Sequence, residues 1–340
     1  MRILITGNLG YVGSELTNQL HKIGCEVVGV DLNFFKSTLT KKTKIFKQII
    51  KDFRDLNDND LKDIHAVVHL AAISNDPIGN YFSKITNDIN NTGTIKLAKL
   101  VKKNKIKKFI FASSCSVYGE GGKNLKSEKS SVNPLSSYAK SKIFAENGLK
   151  KIKNMSITSL RFATATGFSD NLRLDLVLND FIISALTVGK IEILSDGKPI
   201  RPLIHVKDMA KAIIWSISRS KKNFFYVNVG SNSNNYSVLT MARIVSKQIP
   251  CEIIVKKINS NDKRSYAVNF TSYKNKVPKR YQPTENIEKT ISQFKKKIKK
   301  KDLLKMKNFR NSKYVRLNIL KKLIKKNKIT KKLKWKKIKI

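Results

Sequence analysis

Acidic residues are scarce in this chain: 24 Asp and Glu stand against 69 Lys and Arg, a formal net charge of +45 over 340 residues. Cysteine is scarcer. Cys25, Cys115 and Cys251 lie far apart with no CxxC pair, which argues against a zinc site and for a reducing compartment. His65, His69 and His205 share no ligand spacing, so no metal is expected. No run of 18 apolar residues occurs, which excludes a helical membrane span. The opening "MRILITGNLG" predicts a strand at once, with no room for a charged region, an apolar stretch and a cleavage site. Together these readings predict a cytoplasmic protein.

The positive excess could mark a polyanion binder. Against this, the lysines are scattered over predicted helix surfaces, with no basic stripe interleaved with aromatics and no nucleic-acid motif. No nucleic-acid partner is expected. The basic run from "KKKIKKKDLLKMK" to "KKLIKKNKITKKLKWKKIKI" is the one stretch where an anionic partner stays open.

What is present is alternation. "RILIT", "EVVGVD", "KIFKQII", "AVVHLAA", "KKFIFASS" and "SITSLRF" read as short, apolar, buried strands. Helix-length segments separate most of them, at 11–23, about 84–103 and about 136–152. His69 and His205 sit in such apolar runs and are expected to be structural. The pattern predicts an α/β protein with a doubly wound parallel sheet covered on both faces. After about residue 165 it loosens into a smaller mixed α/β lobe, although "NFFYVNVG" returns as a strand. Asp175 and Asp180 are expected on a helix in this lobe, as caps or solvated acids.

"TGNLGYVGS" joins the first strand to the first helix and spaces Gly7, Gly10 and Gly13 as G-x-x-G-x-x-G. Such glycines allow a tight turn and let backbone N–H groups approach a pyrophosphate at a helix N-terminus. The second strand ends in Asp31, close to where an acid would grip a ribose hydroxyl. A carboxylate there repels a 2′-phosphate, so NAD is expected rather than NADP.

"SSYAKSK" then places Tyr138 and Lys142 one helical turn apart, after a strand ending in Ser113 and Ser114. Ligands bind at the carboxyl ends of strands in open α/β sheets. A Lys ammonium and a positive nicotinamide would lower the Tyr pKa, and the phenolate could then take a hydroxyl proton while hydride leaves the same carbon.

With these motifs the chain resembles the extended short-chain dehydrogenase/reductases, in their nucleotide-sugar epimerase/dehydratase group. The stretches that carry the likeness are "TGNLGYVGS", "DFRDL", "HLAA", "NNTGT", "SSCSVYG", "YAKSK", "GKPIRPLIHVKDMAKA" and "DKRSY", across roughly residues 1–280. The resemblance implies a Rossmann-type NAD-binding domain over 1–165, rejoined around 203–230. It implies a nucleotide-sugar-binding lobe over 166–300, leaving 301–340 as a basic helical extension. It implies that Gly7, Asn8, Leu9, Gly10, Tyr11, Val12, Gly13 and Asp31 bind the cofactor. Asp52 and Phe53 would meet the adenine, Leu70, Ala71 and Ala72 would line the cofactor trough, and Asn90 would support the catalytic helix. Ser114, Tyr138 and Lys142 would be the catalytic group. Ser114, Cys115, Ser116, Thr164 and Asn179 would meet the substrate, with Arg201 and Arg264 on its diphosphate. A homodimer would be ordinary for such a protein.

Two departures bear on the reaction. Sugar dehydratases of this group carry an Asp-Glu pair where this chain has Cys115 and Ser116. Cys115 is then either an unusual proton shuttle or a packing residue, packing being the commoner role. Thr164 stands where epimerases often carry Asn. The expectation is an NAD-dependent nucleotide-sugar epimerase, with a dehydratase, a 4-keto reductase, and a non-catalytic dinucleotide or polyanion binder as alternatives.

Overall fold

The computed structural model describes residues 1–41, 43–120, 124–256, 264–298 and 302–336. Seven strands form one sheet: β1 (Arg2–Thr6), β2 (Glu26–Asp31), β3 (Lys47–Ile50), β4 (Ala66–His69), β5 (Lys108–Ser114), β6 (Ser156–Phe162) and, later in the chain, Phe224–Val229. Between the last two lie β7 (Thr164–Thr166), β8 (Lys190–Ile193) and β9 (Ile200–His205), so Phe224–Val229 is β10. The sheet order is β10-β6-β5-β4-β1-β2-β3, with every neighbouring pair parallel.

The two-residue period of a strand sorts the apolar side chains onto two faces. Ile3 and Ile5 join one core with Val27, Val68 and Ile110, and Leu4 joins the other with Val28, Val67 and Phe109. Helices Tyr11–Lys22 and Val206–Ser218 cover the first face through Leu16, Leu20 and Ile213. Helices Thr94–Lys103 and Ser137–Lys150 cover the second through Leu97, Val101, Ala145 and Leu149. Burial on both faces is why these strands read as unbroken apolar runs.

The second lobe holds a three-stranded sheet of β7, β9 and β11 (Asn235–Ser237), and a parallel pair of β8 with β12 (Glu252–Val255). Its core gathers Leu178, Ile182, Met241, Val245, Ile291 and Phe294.

The segment expected as one helix over 84–103 is interrupted. Ser83–Asn87 runs into a π-helical turn at Asp88–Gly93 before Thr94–Lys103 continues. The wide turn surrounds Asn90. Its side chain accepts from Ile73 N–H at 2.9 Å and donates to the Ile73 carbonyl at 2.9 Å and Ser141 Oγ at 3.0 Å. Such bulges gather at functional sites. A short helix, Asp76–Tyr81, was not expected. It starts on Asn75, whose side chain accepts from Ile78 N–H at 3.0 Å, with Pro77 in its first turn.

The basic end of the chain includes a helix, Arg316–Lys325, and it packs on the first lobe. Leu320, Ile329 and Leu333 join the core that holds Leu4 and Phe109.

Candidate active site

The carboxyl end of β1 opens into a cavity of about 830 Å³. It lies where strand order reverses, since β1 pairs with both β2 and β4. Gly7 has φ of +79°, the left-handed region that glycine enters without strain. A Cβ on Gly13 would stand 2.0 Å from the Gly7 carbonyl oxygen, so the helix can begin this close to the loop only without a side chain. Gly10 is the N-cap of Tyr11–Lys22, with no side chain bonded to the first-turn N–H groups. Those donors and the helix dipole suit an anion.

Gly7, Gly10, Tyr11, Val12, Gly13, Asp31, Phe53, Leu70, Ala71 and Ala72 all line the cavity. The Asp31 carboxylate is oriented by the Asn33 N–H at 2.7 Å and the Leu9 N–H at 3.3 Å. Burial raises its pKa. Asp52 also lines the cavity, but Arg54 grips its carboxylate through Nη2 at 2.7 Å and Nε at 3.0 Å. That carboxylate also braces Arg54 and the turn at Phe53–Asp55.

Ser114 ends β5 and its Oγ accepts from the Ser116 N–H at 3.1 Å. Tyr138, at the start of Ser137–Lys150, lines the same cavity as Ser114. The helix is capped by Ser136, which accepts from Ala139 N–H at 3.1 Å. Burial pushes the Tyr138 phenol up to about 12, and the Ser114 hydroxyl works against that rise. Burial drives Lys142 the other way, down to about 7, because it disfavours an ammonium as it does a phenolate. The Lys142 Nζ donates to the Ala112 carbonyl at 2.7 Å. Without a bound cofactor, burial dominates at Tyr138, whose ring lies 5.7 Å from the Lys142 Nζ.

Toward the second lobe the cavity is lined by Ser116, Thr164, Arg201 and Arg264. The buried hydroxyls of Ser113 and Ser116 have no hydrogen-bond partner among the described residues, which makes them ready contacts for a bound molecule. Arg201 donates to the Ile200 carbonyl at 3.0 Å and to the Arg264 carbonyl, so the two arginines form one unit. Of "DKRSY", Asp262 and Lys263 lie outside the described residues.

Five expected site residues are not on the cavity wall. Asn8 points into the sheet, donating to Gln48 Oε1 at 2.8 Å, beneath Gly29, where a Cβ would overlap it. Leu9 contributes its backbone to Asp31, and its side chain is not on the wall. Cys115 turns inward as β5 winds into the turn Cys115–Tyr118, and its Sγ donates to the Arg161 carbonyl at 3.1 Å. Burial drives that thiol pKa up, and the side chain packs against β6 instead of facing the cavity. Asn179 is buried, accepting from the Gly167 N–H at 3.0 Å and donating to the Arg173 carbonyl at 2.9 Å. Asn90, too, holds Ile73 and Ser141 rather than a ligand. The histidines are structural as read: His69 lies between Thr6 Oγ1 at 2.7 Å and Thr94 Oγ1 at 2.9 Å, and His205 caps Val206–Ser218.

Other lining residues escaped sequence reasoning. Asp175 precedes the helix Val177–Val188 instead of lying on it, and its carboxylate accepts from Arg173 at 2.9 and 3.0 Å and from Asn75 Nδ2 at 2.9 Å. Burial raises its pKa, but Arg173 outweighs that and holds it below the usual carboxylate value. Asp76 accepts from Ser136 Oγ and Arg264 Nη1. The Tyr266 ring lies 5.6 Å from the Arg201 guanidinium. Arg310 and Arg316 come from the C-terminal region. The helix-start pattern Asn75-Asp76-Pro77 was a readable signal; the distant arginines left none.

A glycine loop at the switch point of a parallel sheet, an acid at the end of β2 and a Ser–Tyr–Lys group at the end of β5 define a dinucleotide-dependent enzyme class. A model of the NAD dependent epimerase/dehydratase family matches residues 3–230, and the chain belongs to that family. NAD is its cofactor, and the unblocked loop and helix N-terminus fit it. A putative UDP-glucose 4-epimerase of Methanocaldococcus jannaschii is 29% identical over 255 residues, covering 73% of this chain and 82% of that relative. Two solved structures share the fold. MoeE5, solved with UDP-glucuronic acid and NAD, has a TM-score of 0.78 at 24% identity, covering 88% of this chain and 99% of its own. TunA, an NAD dependent NDP-hexosamine 5,6-dehydratase involved in tunicamycin biosynthesis, has a TM-score of 0.77 at 24% identity, covering 89% and 99%. Among the described residues no helix is long and apolar enough to cross a membrane, and no cluster of His, Cys, Asp and Glu could hold a metal.

Proposed function

We propose that the protein is a nucleotide-sugar epimerase that keeps NAD bound through its cycle. The observation that carries this reading is the state of the cavity's carboxylates. Asp31 is held by backbone N–H groups, Asp52 by Arg54, Asp76 by Arg264, Asp175 by Arg173, Asp180 by Arg310 and Glu192 by Lys256. Beside Ser114, where an elimination would need an acid pair, stand a buried thiol and a hydroxyl. That supports reversible oxidation over loss of water. The UDP-sugar relatives support the substrate class.

When bound, NAD supplies a reversible hydride acceptor. As the phenolate, which the nearby Lys142 ammonium and the positive charge of a bound nicotinamide would favour, Tyr138 takes the proton from a ring hydroxyl as that carbon is oxidised to a ketone, and returns it at the end. Ser114 holds the same oxygen by hydrogen bond. Arg201 and Arg264 take the substrate diphosphate, and Thr164 and Ser116 face the sugar. Residues 1–165 with 203–230 hold the cofactor and 166–300 hold the nucleotide sugar.

The test is the product mass from a panel of nucleotide sugars. An unchanged mass with a new sugar configuration is expected. Loss of water, or a gain of two hydrogens, would overturn the epimerase reading.

A further inference from the structure

Arg316 comes from the basic C-terminal region, outside the span matched by the family model, yet it lines the same cavity as Gly7, Gly10 and Asp31. It is 3% exposed, and no carboxylate lies within ion-pair distance of it among the described residues. Its hydrogen-bond partners are neutral acceptors: Thr38 Oγ1 at 2.8 Å, the Asn171 carbonyl at 3.2 Å and Asn171 Oδ1. Its guanidinium lies 4.1 Å over the Phe35 ring. Burial, and after it the neighbouring Arg173, press its pKa down to about 9, against the pull of Asp175 and Asp31. A buried cation facing a cavity without its own counter-ion is costly unless an anion comes to it.

Where that anion lies follows from the neighbours. Asn171 also donates to the Leu9 carbonyl, so one residue separates Arg316 from the glycine loop. The rest of the segment closes on the end of the cavity lined by Leu32, Phe34 and Phe53. Leu320 and Leu333 line the cavity, Trp335 meets Phe34 edge-on at 5.0 Å, and Trp335 Nε1 donates to the Leu32 carbonyl at 2.7 Å. Across from that lip, Arg54 Nη2 donates to the Lys332 carbonyl at 3.0 Å and Lys334 pairs with Asp55. The segment thus ties the stretch after β2 to the stretch after β3.

We propose that Arg316 is a ligand of the dinucleotide's diphosphate, and that residues 316–335 form a strap retaining the adenosine half of the cofactor. This rests on the reading of the cavity as an NAD site. A planar guanidinium suits two phosphate oxygens, and its stacking on Phe35 holds it in place.

The test uses the full chain stripped of NAD, with Arg316→Met, Arg316→Lys and Trp335→Ala. Calorimetric titrations with NAD, ADP-ribose, adenosine and UDP are compared, and NAD release from the holoenzyme is timed. For Arg316→Met the affinities for NAD and ADP-ribose should fall at least about tenfold, as loss of a charge-assisted bond implies. Those for adenosine and UDP should change less than about twofold on the same reasoning. Arg316→Lys should fall between, and it supplies the comparison if Arg316→Met does not fold. Trp335→Ala should speed NAD release. Equal loss for adenosine and ADP-ribose would make Arg316 a brace, and a loss confined to UDP would assign it to the substrate. Unchanged NAD affinity in a folded variant would also sink the proposal. Failure of the unaltered protein to bind NAD would instead sink the cofactor reading.

Discussion

The Lys142 ammonium donates to the Ala112 carbonyl at 2.7 Å, tying the helix Ser137–Lys150 to β5 two residues before Ser114. That bond sets the register in which Tyr138 meets Ser114. Tyr138→Phe removes the proton-transfer group and leaves the ring, so turnover should fall by roughly 10²–10⁴-fold. Bound NAD, read by absorbance after denaturation, should be unchanged. Ser114→Ala should cost less, since a hydrogen bond is lost and not the acid/base. Near-normal turnover of Tyr138→Phe would remove it from the mechanism.

Cys115 tests the reaction type. Cys115→Ala deletes one buried atom, so stability should drop by about 1 kcal/mol and activity should stay near normal. The denaturant midpoint and a turnover assay measure the two. A large activity loss with NAD retained would make the thiol an acid/base and point to a dehydratase.

Glu146, on the same helix, pairs with Arg161 of β6 at 2.6 Å, both buried. Ser159 Oγ also donates to Glu146 at 3.0 Å. Arg161→Met strands a buried carboxylate and should destabilise the protein by about 3–5 kcal/mol. Adding Glu146→Leu should recover much of that. If the double variant is less stable than Arg161→Met, the carboxylate is stabilising for another reason.

Burial lowers both His69 and His205 to about 3 from their ordinary 6.5. Between those values the unfolded chain takes up protons that the folded chain refuses. Stability therefore rises with pH from about 3 to about 6.5 and is lost as pH falls through that window. Each histidine contributes a slope of at most about 1.4 kcal/mol per pH unit. His69→Gln should roughly halve the slope between pH 5 and 6.5 in urea melts. An unchanged slope would mean His69 is already protonated in the fold.

Strands and glycine loop were legible because their causes are local. Ile3, Leu4 and Ile5 alternate faces, but both faces are covered, so the run had to be apolar throughout. Gly7 and Gly13 announce a tight loop-to-helix passage that a side chain at either position would crowd. Tyr138 and Lys142 were legible from the period of one helix, and Ser114 from the end of one strand. The π turn at Asn90 was not, because it depends on the Ile73 backbone meeting an amide from another element. Nor was the inward turn of Cys115, since a motif gives position along the chain and not the direction of a side chain.

The order of apolar runs, glycines and polar groups at strand ends by itself determined the doubly wound class and the polar groups gathered at the ends of β1 and β5. Those signals repeat at periods of two and 3.6, which the backbone imposes. Only the tertiary structure decided which carboxylates are neutralised, that Asp175 belongs to Arg173, and that Arg316 reaches the glycine-loop cavity. Such pairings join residues far apart in the chain, and their energy comes from burial and charge, which no local pattern records.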